Sequence, residues 1–163
     1  MTRIDQIGSQ AVGRVVQFRA RRGASLLGAI EEAVQTEEIR AGVIVSGLGA
    51  LEKAVFRNLR HFPRQFPVRP EDRLYLEITR PMELVSLTGW IAPQAAGGAE
   101  IHAHFAASLV EGDTVATMGG HLTHETICGI KVVVAILEVA PEGVAAREDP
   151  DTRTADLFLP RDG

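Results

Sequence analysis

Three histidines stand at spacings a metal ion could use: His102 and His104 in Ile-His-Ala-His, and His121 in Gly-Gly-His-Leu. Side chains alternate between the two faces of a β-strand, so His102 and His104 point the same way, roughly 7 Å apart along it. The run after them, Phe105 to Val110, is apolar or small and breaks at Glu111-Gly112-Asp113-Thr114. A Gly-Asp pair between two strand-like runs predicts a two-residue hairpin loop. With Gly112 and Asp113 as that loop, His104 falls opposite His121. Opposed side chains on one face have Cβ atoms about 5 Å apart and diagonal ones about 7–8 Å. All three imidazoles then share one patch of a sheet, and three histidines with an open fourth position form the donor set of many zinc sites.

A plainer reading stands beside this one. Histidine pairs on strands are often only solvated residues of an outer face. A loop one residue longer would also move His104 out of line with His121. The neighbours favour a site. Ile101, Ala103 and Phe105 supply an apolar opposite face, and Gly119 and Gly120 remove bulk beside His121, as close approach of a ligand or of another backbone requires. Glu100 shares the His102/His104 face by alternation, either as a further ligand or as part of the pocket rim with Gly119 and Gly120.

The elements that must position these residues come next. The chain has 163 residues, 45% hydrophobic and 23% charged, which is ordinary for one globular domain with a single core. We expect one domain over 1–163, with a core over about 12–140 and a tail over 141–163. A net charge of -4 gives no overall attraction for nucleic acid or anionic membranes. The single cysteine, Cys128, permits no internal disulfide and fits a reducing compartment. Without an apolar leader or a span of ~20 apolar residues, a cytoplasmic protein with no membrane partner is expected.

Val12 to Ala20 reads as a first strand. From Gly23 the period changes: Leu26, Leu27, Ile30, Ala33 and Val34 recur at helical spacing, with Ser25 as N-cap and an end near Ile39. Ala41–Ser46 and Lys53–Leu59 read as short strands, and His61–Asp72, with its three prolines, as an irregular excursion. Arg73–Thr79 and Met82–Ala92 alternate as strands, and the histidine hairpin follows. Ile130–Ala140 is a long apolar β run, and from Pro141 the tail is polar, with Leu157-Phe158-Leu159 able to dock it locally. The class is α+β, with mostly antiparallel strands and one main helix.

Other constellations carry less. Ser46-Gly47-Leu48-Gly49-Ala50 superficially resembles a dinucleotide-binding loop, but the third glycine and a following helix are missing, so a structural glycine turn is expected. Glu83 is in phase with Val85, Leu87 and Ile91, an apolar set. A carboxylate there is paired, binds metal or shifts its pKa, unless it turns outward at the strand entrance. Beside the histidines it would act as a general base. His124 falls on the face opposite His121, His61 reads as surface without a partner, and Cys128 reads as a small buried hydrophobe.

Gly47-Leu48-Gly49-Ala50, Glu83-Leu84-Val85-Ser86-Leu87-Thr88-Gly89, Ile101-His102-Ala103-His104 and Gly119-Gly120-His121-Leu122, in that order, resemble the PPC (plants and prokaryotes conserved) domain. This is also the domain of plant AT-hook nuclear-localised proteins. The resemblance runs from about Val15 to Val139. It implies a curved, mostly antiparallel sheet with a packed helix, assembled as a homotrimer, and a histidine-lined metal site in some prokaryotic members. By position His102, His104 and His121 match the metal-binding histidines, and Glu83 matches the motif glutamate.

Prokaryotic members carry a DNA-binding label by analogy with the plant ones, whose DNA contact is attributed to the AT-hook, an Arg-Gly-Arg-Pro type segment. No such segment occurs here, and the nearest basic cluster is Arg14, Arg19, Arg21 and Arg22. Affinity for DNA is dominated by phosphate neutralisation, so Arg19, Arg21 and Arg22 are the candidates for that role. Three classes stay open: a trimeric domain holding zinc or another divalent metal, with a regulatory or binding role and a DNA or protein partner; a metal-dependent hydrolase or hydratase on an unknown small molecule; and a DNA-binding protein.

Overall fold

The computed structural model describes residues 3–159. Its elements run β1 (Val12–Arg21), α1 (Leu26–Thr36), β2 (Gly42–Leu59), β3 (Arg73–Ile78), β4 (Met82–Pro93), β5 (Ala99–Glu111), β6 (Thr114–His121), β7 (Ile127–Val139), β8 (Ala145–Glu148) and β9 (Ala155–Phe158), with a short 3₁₀ turn at Pro70–Asp72. Six strands lie in the order β1-β7-β2-β4-β5-β6, and β3 adds to β2. Every strand pairing in this sheet is antiparallel. The sheet curls until β6 returns to the far half of β2, where Arg57 pairs with His121.

The helix forms where its periodicity places it. Ser25 accepts a hydrogen bond from the Gly28 backbone N–H at 3.1 Å, which satisfies one orphan donor of the first turn. Leu26, Ile30 and Val34 are the buried residues of α1, spaced to make one face. They join Ile44, Leu51, Phe56, Leu87, Phe105, Val132 and Ile136 in the main core. Each fully buried side chain of that size contributes about 1.5–3 kcal/mol. The helix closes at Thr36, short of the expected Ile39, because Glu38 takes φ 53° and turns the chain out of the helix. No helix among the described residues is long and apolar enough to cross a membrane.

Two expectations are corrected. The glycine turn between two short strands does not exist: Gly42–Leu59 is one strand of 18 residues. Gly47 and Gly49 serve close packing, not reversal. A Cβ on Gly47 would sit 2.7 Å from the Leu87 side chain, and one on Gly49 (φ +148°) 2.0 Å from the Lys131 carbonyl oxygen. Register shifts at Ile44/Ser46, Gly49/Leu51 and Leu51/Lys53 absorb the curvature as bulges.

The tail is also more ordered than its composition predicts. Strands β8 and β9 pair with each other, and Val144, Ala146 and Leu157 pack on Ala41, Ala92 and Trp90 as a small second core. This docks the hairpin against β4. Within the proline-rich excursion His61 is exposed as expected but has a partner, Asp72 Oδ1 at 2.9 Å. Cys128 is fully buried, and burial pushes its thiol up to about 11.

Candidate metal centre

The β5–β6 hairpin has the register read from its loop. Glu111 pairs with Thr114 and His104 with His121. Across the curled sheet the row extends on both sides: Thr88 pairs with His104, Arg57 with His121 and Tyr75 with Arg57. One line of residues thus crosses β4, β5, β6, β2 and β3, at roughly 4.8 Å per strand. Ala103 and Phe105 are buried in the core, where Phe105 stacks on Phe56 with ring centroids 4.8 Å apart. Alternation therefore turns His102 and His104 to the opposite face.

The three imidazoles converge there. One ring nitrogen from each lies within 4.8 Å of the other two, and His102 Nε2 is 3.1 Å from His104 Nε2. Two nitrogens bound tetrahedrally to one zinc ion, each at about 2.0–2.1 Å, stand about 3.3 Å apart. The His121 ring meets those of His102 and His104 edge-on, at centroid distances of 4.7 and 5.2 Å. Trp90 stacks on the outer side of His102 at 5.3 Å. Donor type, spacing and convergence therefore fit a divalent metal.

Electrostatics keep the rings in the form a metal needs, since only the neutral imidazole has a free lone pair. Burial lowers the pKa of His102, with His104 and Arg57 adding to the effect. His104 keeps an exposed edge, yet desolvation and then Arg57 lower it too. His121 is pushed down to about 3, first by burial and then by Arg57. An unfolded imidazole titrates near ~6.5, so as pH falls below that value the unfolded chain takes up a proton that the native chain refuses, and stability drops from about pH 6.5 towards 3. The urea midpoint of chelator-treated protein should fall across this window, and His121→Asn should flatten the fall. Equal pH slopes for the two proteins would contradict the burial of His121.

The other expected site residues are dispersed. Glu100 stays with the group: it lines a cleft of about 840 Å³ with His102 and His121 and accepts a hydrogen bond from Gln94 Nε2. Gly119 and Gly120 serve strand closure. A Cβ on Gly120 would lie 2.9 Å from Asn58 Nδ2, and Asn58 donates to the Gly119 carbonyl at 2.9 Å. Glu83 is not brought to the histidines. It pairs with Ser108, while His104 pairs with Thr88, and it lines a separate apolar cleft with Met82, Leu109 and Ile130.

Arg19 and Arg21 are exposed on β1, with Lys131 paired to Arg21. Arg22 reaches Glu52 at 3.6 Å, and Arg14 is bound to Glu37 and Glu138. His124 stays off the triad, 3.4 Å from Glu31. Sequence reasoning missed Arg57, Arg73 and Tyr75, which line the cleft together with Thr154 and Ala155 from the tail. Only the pairing of β2 with β3 and β6 reveals them.

Residues 7–140 match the Plants and Prokaryotes Conserved (PCC) domain, and the chain belongs to that family. Among solved structures it is similar to a metal-containing protein of Archaeoglobus fulgidus, with 24% identity, a TM-score of 0.71, and coverage of 96% of this chain and 99% of that one. A plant- and prokaryote-conserved protein of Pyrococcus horikoshii gives 23% identity and a TM-score of 0.72 over 92% and 95% of the two chains. A protein of Ralstonia eutropha JMP134, whose name proposes DNA binding, gives 25% identity and a TM-score of 0.67 over 88% and 90%. No curated protein sequence matches the chain.

Proposed function

We propose that this chain is a metal-binding domain in which His102, His104 and His121 hold a zinc ion, and that it acts as a homotrimer in a regulatory or binding role. The observation that carries the proposal is the convergence of three imidazole nitrogens within 4.8 Å. Imidazole serves several transition metals; zinc is chosen because three imidazoles with an open fourth position are a common zinc arrangement. The metal-containing Archaeoglobus neighbour supports the same reading. The trimer draws support from apolar residues on the outer sheet face. Leu48 is 64% exposed and lies opposite Val133, and Val43, Val45 and Ile130 are exposed as well. Exposed apolar groups of this kind mark contact surfaces. We take the chain as one domain, working in the cytoplasm.

A second reading, a hydrolase or hydratase, is favoured by the cleft beside the triad. A zinc ion with three protein ligands lowers the pKa of bound water toward ~7, and Glu100, which lines the same cleft, would be the carboxylate to exchange a proton. Glu83, the family's motif residue, stands elsewhere. For a DNA role, Arg19, Arg21 and Lys131 offer a small exposed cationic strip, which the name of the Ralstonia neighbour favours. Metal analysis of the untagged protein together with light scattering tests the main reading. One zinc per chain and three times the 17.6 kDa chain mass are expected. Metal-free protein that takes up no added zinc would overturn it.

A further inference from the structure

Arg57 helps to keep the imidazoles neutral, but the metal reading leaves the guanidinium donors of Arg57 and Arg73 unused. Arg57 pairs with Tyr75, and Leu59 with Arg73, across the β2–β3 ladder. Tyr75 and Arg73 therefore share a strand face, and Arg57 and Arg73 are diagonal neighbours with Cβ atoms about 7–8 Å apart or less. Both are half-buried and both line the cleft of His102 and His121. Among the described residues neither guanidinium takes part in an ion pair, whereas Arg14, Arg22, Arg80 and Lys53 all do.

The acidic residues on the same wall are engaged or peripheral. Glu31 faces His124, and Glu100 accepts from Gln94. Glu125 is the last and weakest influence on Arg57, after burial, the repulsion of Arg73, and Tyr75. Two like charges turned into one concavity beside neutral imidazoles repel each other, and partial desolvation adds to the cost. An oxyanion offsets both. The guanidinium fork matches carboxylate and phosphate oxygens in pairs.

Resting on the metal reading for the other half of the site, we propose that Arg57 and Arg73 form an oxyanion-recognition subsite. The cleft then takes a small molecule carrying a carboxylate or phosphate group, with the anionic group on the arginines and the remainder facing the histidine centre. The cleft's volume, about 840 Å³, is that of a small-molecule site. Tyr75, opposite Arg57, adds a hydroxyl at the same end.

Calorimetric titration of the zinc-loaded full chain at low ionic strength tests this, with inorganic phosphate in one arm, malonate in the other and chloride as the control. Saturable binding of at least one probe is expected. Arg57→Gln and Arg73→Gln should each weaken it by about tenfold or more, with zinc still bound and the thermal midpoint no lower than wild type, since each substitution relieves the repulsion of the pair. The arm that binds tells phosphate from carboxylate recognition. Zinc-loaded protein that binds neither probe, or binds one equally well in both variants, overturns the subsite and leaves the metal centre standing. Protein that holds no zinc yet binds a probe in an Arg57-dependent way supports the subsite and sinks the metal reading instead.

Discussion

With the proposed zinc on His102, His104 and His121, replacing His121 with alanine should abolish metal binding while leaving the fold in place. The loss of one of three protein ligands removes a bond to the ion, a larger change than the outer-shell substitutions that already weaken binding by about 10–100-fold. A loss of at least ~100-fold in zinc affinity is therefore expected. After dialysis against a weak chelator the wild-type chain should retain about one equivalent and the variant almost none. The fold should survive because His121 is half-buried at the end of β6, while the next residue, Leu122, is 1% exposed and donates its backbone N–H to the Ala103 carbonyl at 2.8 Å. That anchor does not involve the imidazole.

His104→Ala should behave alike, since its Nε2 lies 3.1 Å from that of His102. His124→Ala is the internal control, because His124 faces Glu31 across the surface. Zinc retained by both triad variants, or lost equally in His124→Ala, would show that the metal sits elsewhere. Melting of the chelated proteins at neutral pH separates the two effects, since triad variants that lose metal should still unfold within about 1 kcal/mol of wild type.

The triad was legible because its information is local. A two-residue loop fixes hairpin register, and a period of two carries that register from Glu111 seven residues back to His104. The helix was legible for the same reason, through Ser25 and the Leu26, Ile30, Val34 stripe. Glu83 turns outward at the strand entrance, the alternative its position left open, and alternation alone fails to show it. Alternation from Glu83 through Val85 to Leu87 assumes an unbroken strand, but the β4–β5 register shifts between Leu84 and Ser86. Glu83 and Val85 are exposed as a result, while Leu87 and Ile91 are buried.

Arg57 was invisible for another reason. It reaches the triad only because the sheet closes on itself, and no short-range pattern encodes the meeting of β2 with β6. The tail hairpin escaped because its four-residue strands lie among Pro, Asp and Arg, with only Val144, Ala146 and Leu157 to anchor them.

Glycine is the residue whose signal was most ambiguous, and Gly49 gives the largest expected effect on stability. The same absence of a Cβ suits a turn and a close crossing of backbones. Here the crossing applies. In Gly49→Ala the new Cβ would stand 2.0 Å from the Lys131 carbonyl oxygen and 2.8 Å from Val132 Cα, both main-chain atoms, at φ +148°. Neither neighbour can rotate away, and Val132 and Val134 behind them are fully buried. Overpacking and backbone strain each cost about 1–3 kcal/mol, so a loss of roughly 3 kcal/mol or more is expected, a large part of an ordinary domain's stability. Gly112→Ala separates the two causes. Gly112 also has a positive φ, +59°, but nothing lies within 4 Å of its Cβ position, so that variant carries the conformational cost alone, about 1 kcal/mol. Urea midpoints of the two variants read the difference directly. If Gly49→Ala were no worse than Gly112→Ala, β2 and β7 would not approach as closely as the described register requires, and the continuous 18-residue β2 would give way to the turn that the glycines suggested.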